Sequence, residues 1–183
     1  MKVLRKQEME TSNILVGDQI VIQLTGFGEF TATAQKITDK GTLFLFDDCV
    51  TEQSMNEKYT NKGGYEKSDL RKWINTILLE AFPEDIRNRI SDLSIPTYGQ
   101  MFGHDDWYDR VMEPDYDEQL PLMKKRKNRI ADFNDNYEWY WMQNATKKEV
   151  SAAYFALVNS LGTANSTGAS NSLGVRPAFV LVN

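Results

Sequence analysis

A chain of 183 residues with 41% hydrophobic and 11% aromatic side chains is long enough for one packed domain and too apolar for disorder. A net charge of −5 gives no support to general nucleic-acid binding, and no apolar run approaches the roughly 20 residues of a membrane span. The opening "MKVLRKQEMETSN" has no apolar signal core, and the single cysteine, Cys49, cannot close an intrachain disulfide, so a reducing cytoplasm is the expected location.

Residues 14–50 read as a β-meander. Val, Ile, Thr and Phe dominate, and Gly17-Asp18, "TGFG" and "TDKG" supply turns. Three antiparallel strands are expected at about 19–24, 29–37 and 42–48, the last two joined by a tight turn at Asp39 to Gly41. The polar, glycine-broken stretch that follows reads as a loop up to Lys67. Helices are expected over about 68–91. Ser68 or Asp69 caps the first, and Leu70, Trp73, Ile74, Ile77 and Leu78 share one face at helical spacing. Pro83 opens a second short helix with Ile86 and Ile90 inward.

Residues 96–136 form the least regular part, an insertion with three of the five prolines and the sharpest charge contrast. Strands are expected over 137–183. "YEWYWMQ" places Glu138 and Tyr140 on one face and Tyr137, Trp139 and Trp141 on the other. "SAAYFALVNS" reads as a strand, with helix as its rival. The stretches "LGTANSTG" and "ASNSLG" read as turns, and "GVRPAFVLV" as a closing strand that buries Val175, Phe179, Leu181 and Val182. Arg176 stands between turn and strand, where its five donors can satisfy several loop carbonyls at once. Pro177 lacks a ladder donor, so that strand is expected to be an edge there or to begin after it. The whole reads as a single α+β domain, residues 1–183, with a small twisted antiparallel sheet, two helices and a long irregular insertion.

The order of short motifs resembles a domain-of-unknown-function family common in Firmicutes and their phages. That family shows S-x-L-R-x-W-L-N on a helix, an aromatic strand ending W-W-L-R-S-P, an A-x-x-V-x-x-x-G segment and a closing G-V-R-P-A. The corresponding text here is "SDLRKWIN" with Trp73, "YEWYWMQNA" with Trp141, "AAYFALVNSLG", and "GVRPA" with Gly174, Arg176 and Pro177. The resemblance covers about the last two thirds of the chain. It implies a compact fold similar to C-type-lectin-like and formylglycine-generating-enzyme-like domains. Gln143 and Ala145 stand where the family has arginine and proline. Either a family ligand contact is lost there, or Gln143 replaces a structural arginine. The catalytic cysteine pair of formylglycine-generating enzymes has no counterpart, so the resemblance carries fold and not reaction.

Several residues invite a chemical reading. Cys49 follows two aspartates, which raise a thiol's pKa, and the only histidine, His104, lies far away in sequence; Cys49 reads as a buried structural residue. His104 with Asp105 and Asp106 makes a poor transition-metal site, and a local hydrogen-bonding role fits it better. The "KKRKNR" run can touch phosphates or pair with the acidic stretch before it. "EPD" at Glu113 to Asp115 and "FND" at Phe133 to Asp135 resemble the paired calcium and sugar motifs of C-type lectins. No phosphate loop, zinc quartet, serine triad or HExxH is present. Neither a cofactor nor a resident metal is expected, and binding without catalysis is.

The stretch Asp105, Asp106, Trp107, Tyr108, Asp109, Glu113, Asp115, Tyr116 and Asp117 interleaves acids with aromatics. It reads as the partner-binding surface, with aromatics as anchors and acids as steering charges for a basic protein groove. Three classes follow. The first is an inhibitor of a host macromolecule, most specifically of the anti-CRISPR type, whose target is an RNA-guided nuclease with very basic grooves. The second is a carbohydrate- or cell-surface-binding lectin-like module, calcium-dependent or not. The third is an enzyme of unrecognised type, built on acids of perturbed pKa.

Overall fold

The computed structural model describes residues 14–182. The chain is a mixed α+β protein dominated by strands. The meander lies where the sequence places it: β1 (Gln19–Leu24), β2 (Gly28–Thr38) and β3 (Gly41–Phe46), paired antiparallel. β3 reads GTLFLF and is buried on both faces, with Phe44 and Phe46 toward one core and Leu45 toward another. A continuous apolar run is what a strand covered on both sides requires.

The described residues form two five-stranded sheets, not one small one. The first runs β1-β2-β3-β12-β5, where β5 is Ile90–Ser94 and β12 is Ala178–Leu181. The second runs β10-β9-β8-β11-β4, from Ala164–Gly168, Tyr154–Val158, Tyr140–Ala145, Ser172–Val175 and Thr51–Ser54. One pair, β8 with β11, is parallel. Four of these strands differ from expectation. β4 lies in the stretch read as a loop, β10 and β11 in the stretches read as turns, and β5 begins at Ile90, which was expected on a helix. Their polar and small residues have weak strand propensity, and pairing with neighbours overrides it.

The main helix begins at α1 (Asp69–Trp73), where the Ser68 side chain accepts from the Arg71 N–H. It widens into a π-helical turn over Ile74–Leu78, continues as α2 (Leu79–Ala81) and is followed by α3 (Glu84–Arg87). Leu70, Ile74 and Leu78 are buried, but Ile77 is 56% exposed. The wider turn keeps Leu78 in line with Ile74 and rotates Ile77 off the stripe. Trp73 is half-buried, edge-on to Phe27 at 5.9 Å, and Arg71 donates to Leu93 O at 2.6 Å, tying the helix to β5.

The inserted segment is more regular than expected. It holds α4 (Tyr98–Phe102), α5 (Asp106–Val111), two single-turn 3₁₀ segments (Pro121–Lys124 and Arg126–Arg129), and a hairpin of β6 (Ala131–Phe133) with β7 (Asn136–Glu138). Its apolar side chains, among them Tyr98, Met101, Tyr108, Met112 and Met123, pack on the outer faces of β3, β8, β9 and β12 as a second core. The first core lies between the sheets and the helix, and contains Trp141, Phe155, Phe179 and Leu70. The alternation expected across "YEWYW" fails at Trp139, which separates β7 from β8: Tyr140 and Trp141 are both fully buried, while Tyr137 and Trp139 face outward.

"GVRPA" is the passage between sheets. β11 ends at Val175 and β12 begins at Ala178, so Pro177 precedes its strand and removes no ladder bond from it. Gly174 packs against β8 so tightly that an added Cβ would sit 2.6 Å from Cys49 Sγ and 3.1 Å from Trp139 O. Val175, Phe179 and Leu181 are buried as expected, whereas Val182 is half exposed beyond the strand. Among the described residues, no helix is long and apolar enough to cross a membrane.

Candidate functional site

Three regions hold the residues singled out by the sequence. The first is the acidic-aromatic segment, which folds on its own carboxylates. Asp105 caps α5, accepting from Tyr108 N at 2.8 Å and from the Tyr98 hydroxyl at 3.0 Å. The Asp115 carboxylate, whose side chain is only 12% exposed, accepts from Gly99 N, Asp117 N and the Asn144 carboxamide at 2.8–3.0 Å, and lies 3.3 Å from His104 Nε2. Asp117 accepts from the Thr97 hydroxyl at 2.8 Å, and Thr97 with Gln100 closes a capping box on α4. The Tyr108 ring is buried, stacked on His104 at 4.6 Å, with its hydroxyl bonded to the Asp115 backbone. Trp107 is half-buried, 5.7 Å from the Tyr98 ring.

The segment therefore has two sides. Tyr108 is not an anchor for a partner, because it is part of the second core. Asp115 and Asp117 are spent on the protein's own donors, and Asp105 is a helix cap. Asp106, Asp109 and Glu113 turn outward, with Tyr116 at 95% exposure. His104 has the local role expected of it. Among the described residues no group of three or more His, Cys, Asp or Glu side chains is placed to hold a metal ion. "FND" has a local explanation: Asn134 and Asp135 have φ of 50° and 62° and form the two-residue turn of the β6–β7 hairpin.

The basic run is divided in the same way. Lys124 to Lys127 face solvent. Arg129 turns in, donating to Gly162 O at 2.9 Å and Met123 O at 2.6 Å over the Phe102 ring. Among the described residues none of the run pairs with the acidic stretch within 4 Å.

The second region surrounds the sheet crossing. Arg176 is 4% exposed and donates to Phe46 O at 2.7 Å, Asn128 O at 3.2 Å and the Tyr140 hydroxyl at 2.9 Å. It joins β3, the second 3₁₀ turn and β8 through one side chain. Burial pushes the Tyr140 hydroxyl up to about 12, against the opposing pull of Arg176. Cys49, also buried, has its thiol pushed well above the ordinary range, by burial first, with Arg176 opposing and Glu138, Asp48 and Asp132 adding to it. A thiol held protonated in that place is not a nucleophile.

The third region is a cleft of about 770 Å³ that sequence reasoning missed. Its floor is Gln143 to Thr146. One wall is the loop of residues 60–66 and the other is Glu113 to Asp115. Both walls are fastened to the floor. The Asn61 carboxamide donates to Thr146 O, Ser151 O and Tyr154 O at 3.0–3.1 Å. On the other side Glu113 N donates to Ala145 O, and the Asn144 carboxamide to Glu113 O. Gly63 and Gly64 turn the first wall at positive φ, 92° and 64°. The glycine pair was legible as a loop, but its partner segments lie about 50 to 90 residues away and no local pattern links them. Gln143, where the resembled family has arginine, donates to Ile95 O at 2.6 Å, a structural tie from the cleft floor to the end of β5.

The two-sheet α+β core carries a folded loop segment, a braced cleft and a guanidinium at the sheet crossing. The chain matches the family described as domain of unknown function DUF6273 over residues 40–183, and it belongs to that family. No curated protein and no solved structure matches it.

Proposed function

We propose that this is a non-catalytic binding protein whose acidic-aromatic segment docks on a basic protein surface. The observation that carries the reading is the two-sided build of the segment. Its inner acids are consumed in ordering it, so the outer acids Asp106, Asp109 and Glu113 and the exposed ring of Tyr116 are held in place before any partner arrives. Pre-ordered charge and aromatic surface lower the entropy lost on docking and steer a partner of opposite sign. The most specific form of the proposal is an inhibitor that occupies the basic nucleic-acid groove of an RNA-guided nuclease inside the cell.

The test is capture of a purified type II RNA-guided nuclease by the immobilised protein at two salt concentrations. A variant carrying Asp106→Ala, Asp109→Ala and Tyr116→Ala runs beside it. Capture that weakens with salt and is lost in the folded variant supports the proposal. Absence of capture removes the nuclease form, and the same assay on a panel of basic host proteins then decides the broader one.

A second reading is a glycan-binding module of C-type-lectin-like character. It draws on the long segment folded over the outer faces of the strands and on a cleft of small-ligand size. The turn role of Asn134 and Asp135 argues against the calcium form of it. A calcium-induced rise in Tm would restore that form.

A further inference from the structure

The cleft between residues 60–66 and 113–115 meets the outward acidic face at Glu113, and its chemistry selects a different ligand. What it can bind follows from which of its polar groups are already used. Asn61 has its carboxamide N–H groups on three backbone carbonyls. Asn144 donates to Glu113 O and Asp115 and accepts from Tyr98 N. The Thr97 hydroxyl is committed to Asp117. These groups build the walls and floor, and are not free to read sugar hydroxyls. The one lining aromatic, Tyr65, is 4% exposed and offers no face for stacking.

Glu66, on the same wall as Lys62, lies 3.6 Å from Arg71, and three charged groups are left over. Lys62 stands on one wall, Glu113 on the other, and Lys148 lies beyond the end of the floor. All three are exposed and, among the described residues, none makes an ion pair. Lys62 and Lys148 belong to the two segments that Asn61 binds together, so their charges are carried by one braced unit. Glu113 is carried by the opposite wall, and among the described residues no ion pair neutralises it. Opposite charges on walls fastened to a common floor are suited to a ligand that itself carries both signs.

We infer that the cleft binds the zwitterion of a short peptide with free ends, its carboxylate toward Lys62 and Lys148 and its ammonium toward Glu113. A volume of about 770 Å³ accommodates a few residues. Because the walls are fastened independently of the ligand, little ordering is required on binding.

The test uses the full chain, isotopically labelled, and amide NMR. The probe is a pool of random tetrapeptides with free ends, compared with the same pool N-acetylated and with the same pool C-amidated. Saturable shifts are expected at Gly63, Gly64 and the Asn144 side chain, with each capped pool weaker by about tenfold. In the Lys62→Met, Lys148→Met double variant, amidation should no longer matter. In Glu113→Gln, acetylation should no longer matter. Both changes are on exposed side chains, and unchanged spectra elsewhere verify the fold. The inference is overturned if the free-ended pool gives no saturable shift, if capped pools bind equally well, or if a chito-oligosaccharide pool shifts these amides while the peptides do not. The lysine double variant leaves Asp106, Asp109, Glu113 and Tyr116 unchanged, so its result stands or falls apart from docking by the acidic face.

Discussion

The Arg176 guanidinium and the Tyr140 hydroxyl meet 2.9 Å apart inside the protein, where the chain leaves one sheet for the other. The same guanidinium holds Phe46 O on the first sheet and Asn128 O on the inserted segment. Arg176→Ala leaves these acceptors unpaired out of water, and a loss of about 2–4 kcal/mol in urea unfolding is expected. Arg176→Lys should recover only part of it, since one ammonium cannot reproduce a planar fork. A loss below about 0.5 kcal/mol for the alanine variant would place Arg176 with ordinary surface residues and remove this account of the crossing.

Asp115 and Tyr116 are neighbours with opposite roles. Asp115 is the acceptor around which the start of α4, Asn144 and the following turn are ordered. Asp115→Ala should cost about 2 kcal/mol, since a buried backbone N–H and a carboxamide lose their partner. It should also open residues 103–119 to proteolysis. Tyr116→Ala should leave both stability and cleavage pattern unchanged, because the ring touches solvent. Equal effects from the two substitutions would show that the segment has no inner and outer side.

Tyr140 gives the protein an alkaline limit. Its hydroxyl is held up to about 12, mainly by burial, against about 10 in the unfolded chain. The unfolded state therefore loses this proton first. The stabilisation is fully present below about pH 10 and is lost as pH rises from there through the folded value, at up to about 1.4 kcal/mol per pH unit. Unfolding free energies measured between pH 9 and 11.5 should fall along this slope. Tyr140→Phe should be less stable at pH 9, because Arg129 O and Arg176 lose a partner, and its fall with pH should be shallower. An unchanged slope in the variant would assign the alkaline loss to other groups, of which buried Tyr65 and Tyr98, also raised by burial, are the first to examine.

These residues differ in how far the sequence alone reveals them. Arg176 was legible, because an arginine between a glycine turn and an apolar strand has few roles other than satisfying carbonyls. The meander was legible from its β-branched and aromatic residues and its turns. The second sheet was largely hidden. β4, β10 and β11 are short and largely polar, and they exist because β9 pairs with β10, β8 with β11, and β11 in turn with β4. The acidic segment was found, but its division was not. Asp115 and Asp109 are the same residue type in the same stretch, and only the arrival of Gly99 and Asn144 from elsewhere makes one of them structural. The cleft is the extreme case, since Asn61 and Thr146 are separated by 85 residues.

The helix after Ser68 tests the same limit on a single residue. Its spacing places both Ile77 and Leu78 with Leu70, Trp73 and Ile74, yet Ile77 is outward while Leu78 is buried as expected, because the turn is wider than an α-turn. Leu78→Ala removes a fully buried side chain from the core between the sheets, and should cost about 2–5 kcal/mol. Ile77→Lys places a charge where the isoleucine already meets water, and should change stability by no more than about 0.5 kcal/mol. Thermal or urea unfolding of the two variants separates the alternatives. A regular helix would bring Ile77 onto the buried stripe, and the lysine would then be the more damaging substitution. The opposite order is what the π-turn requires.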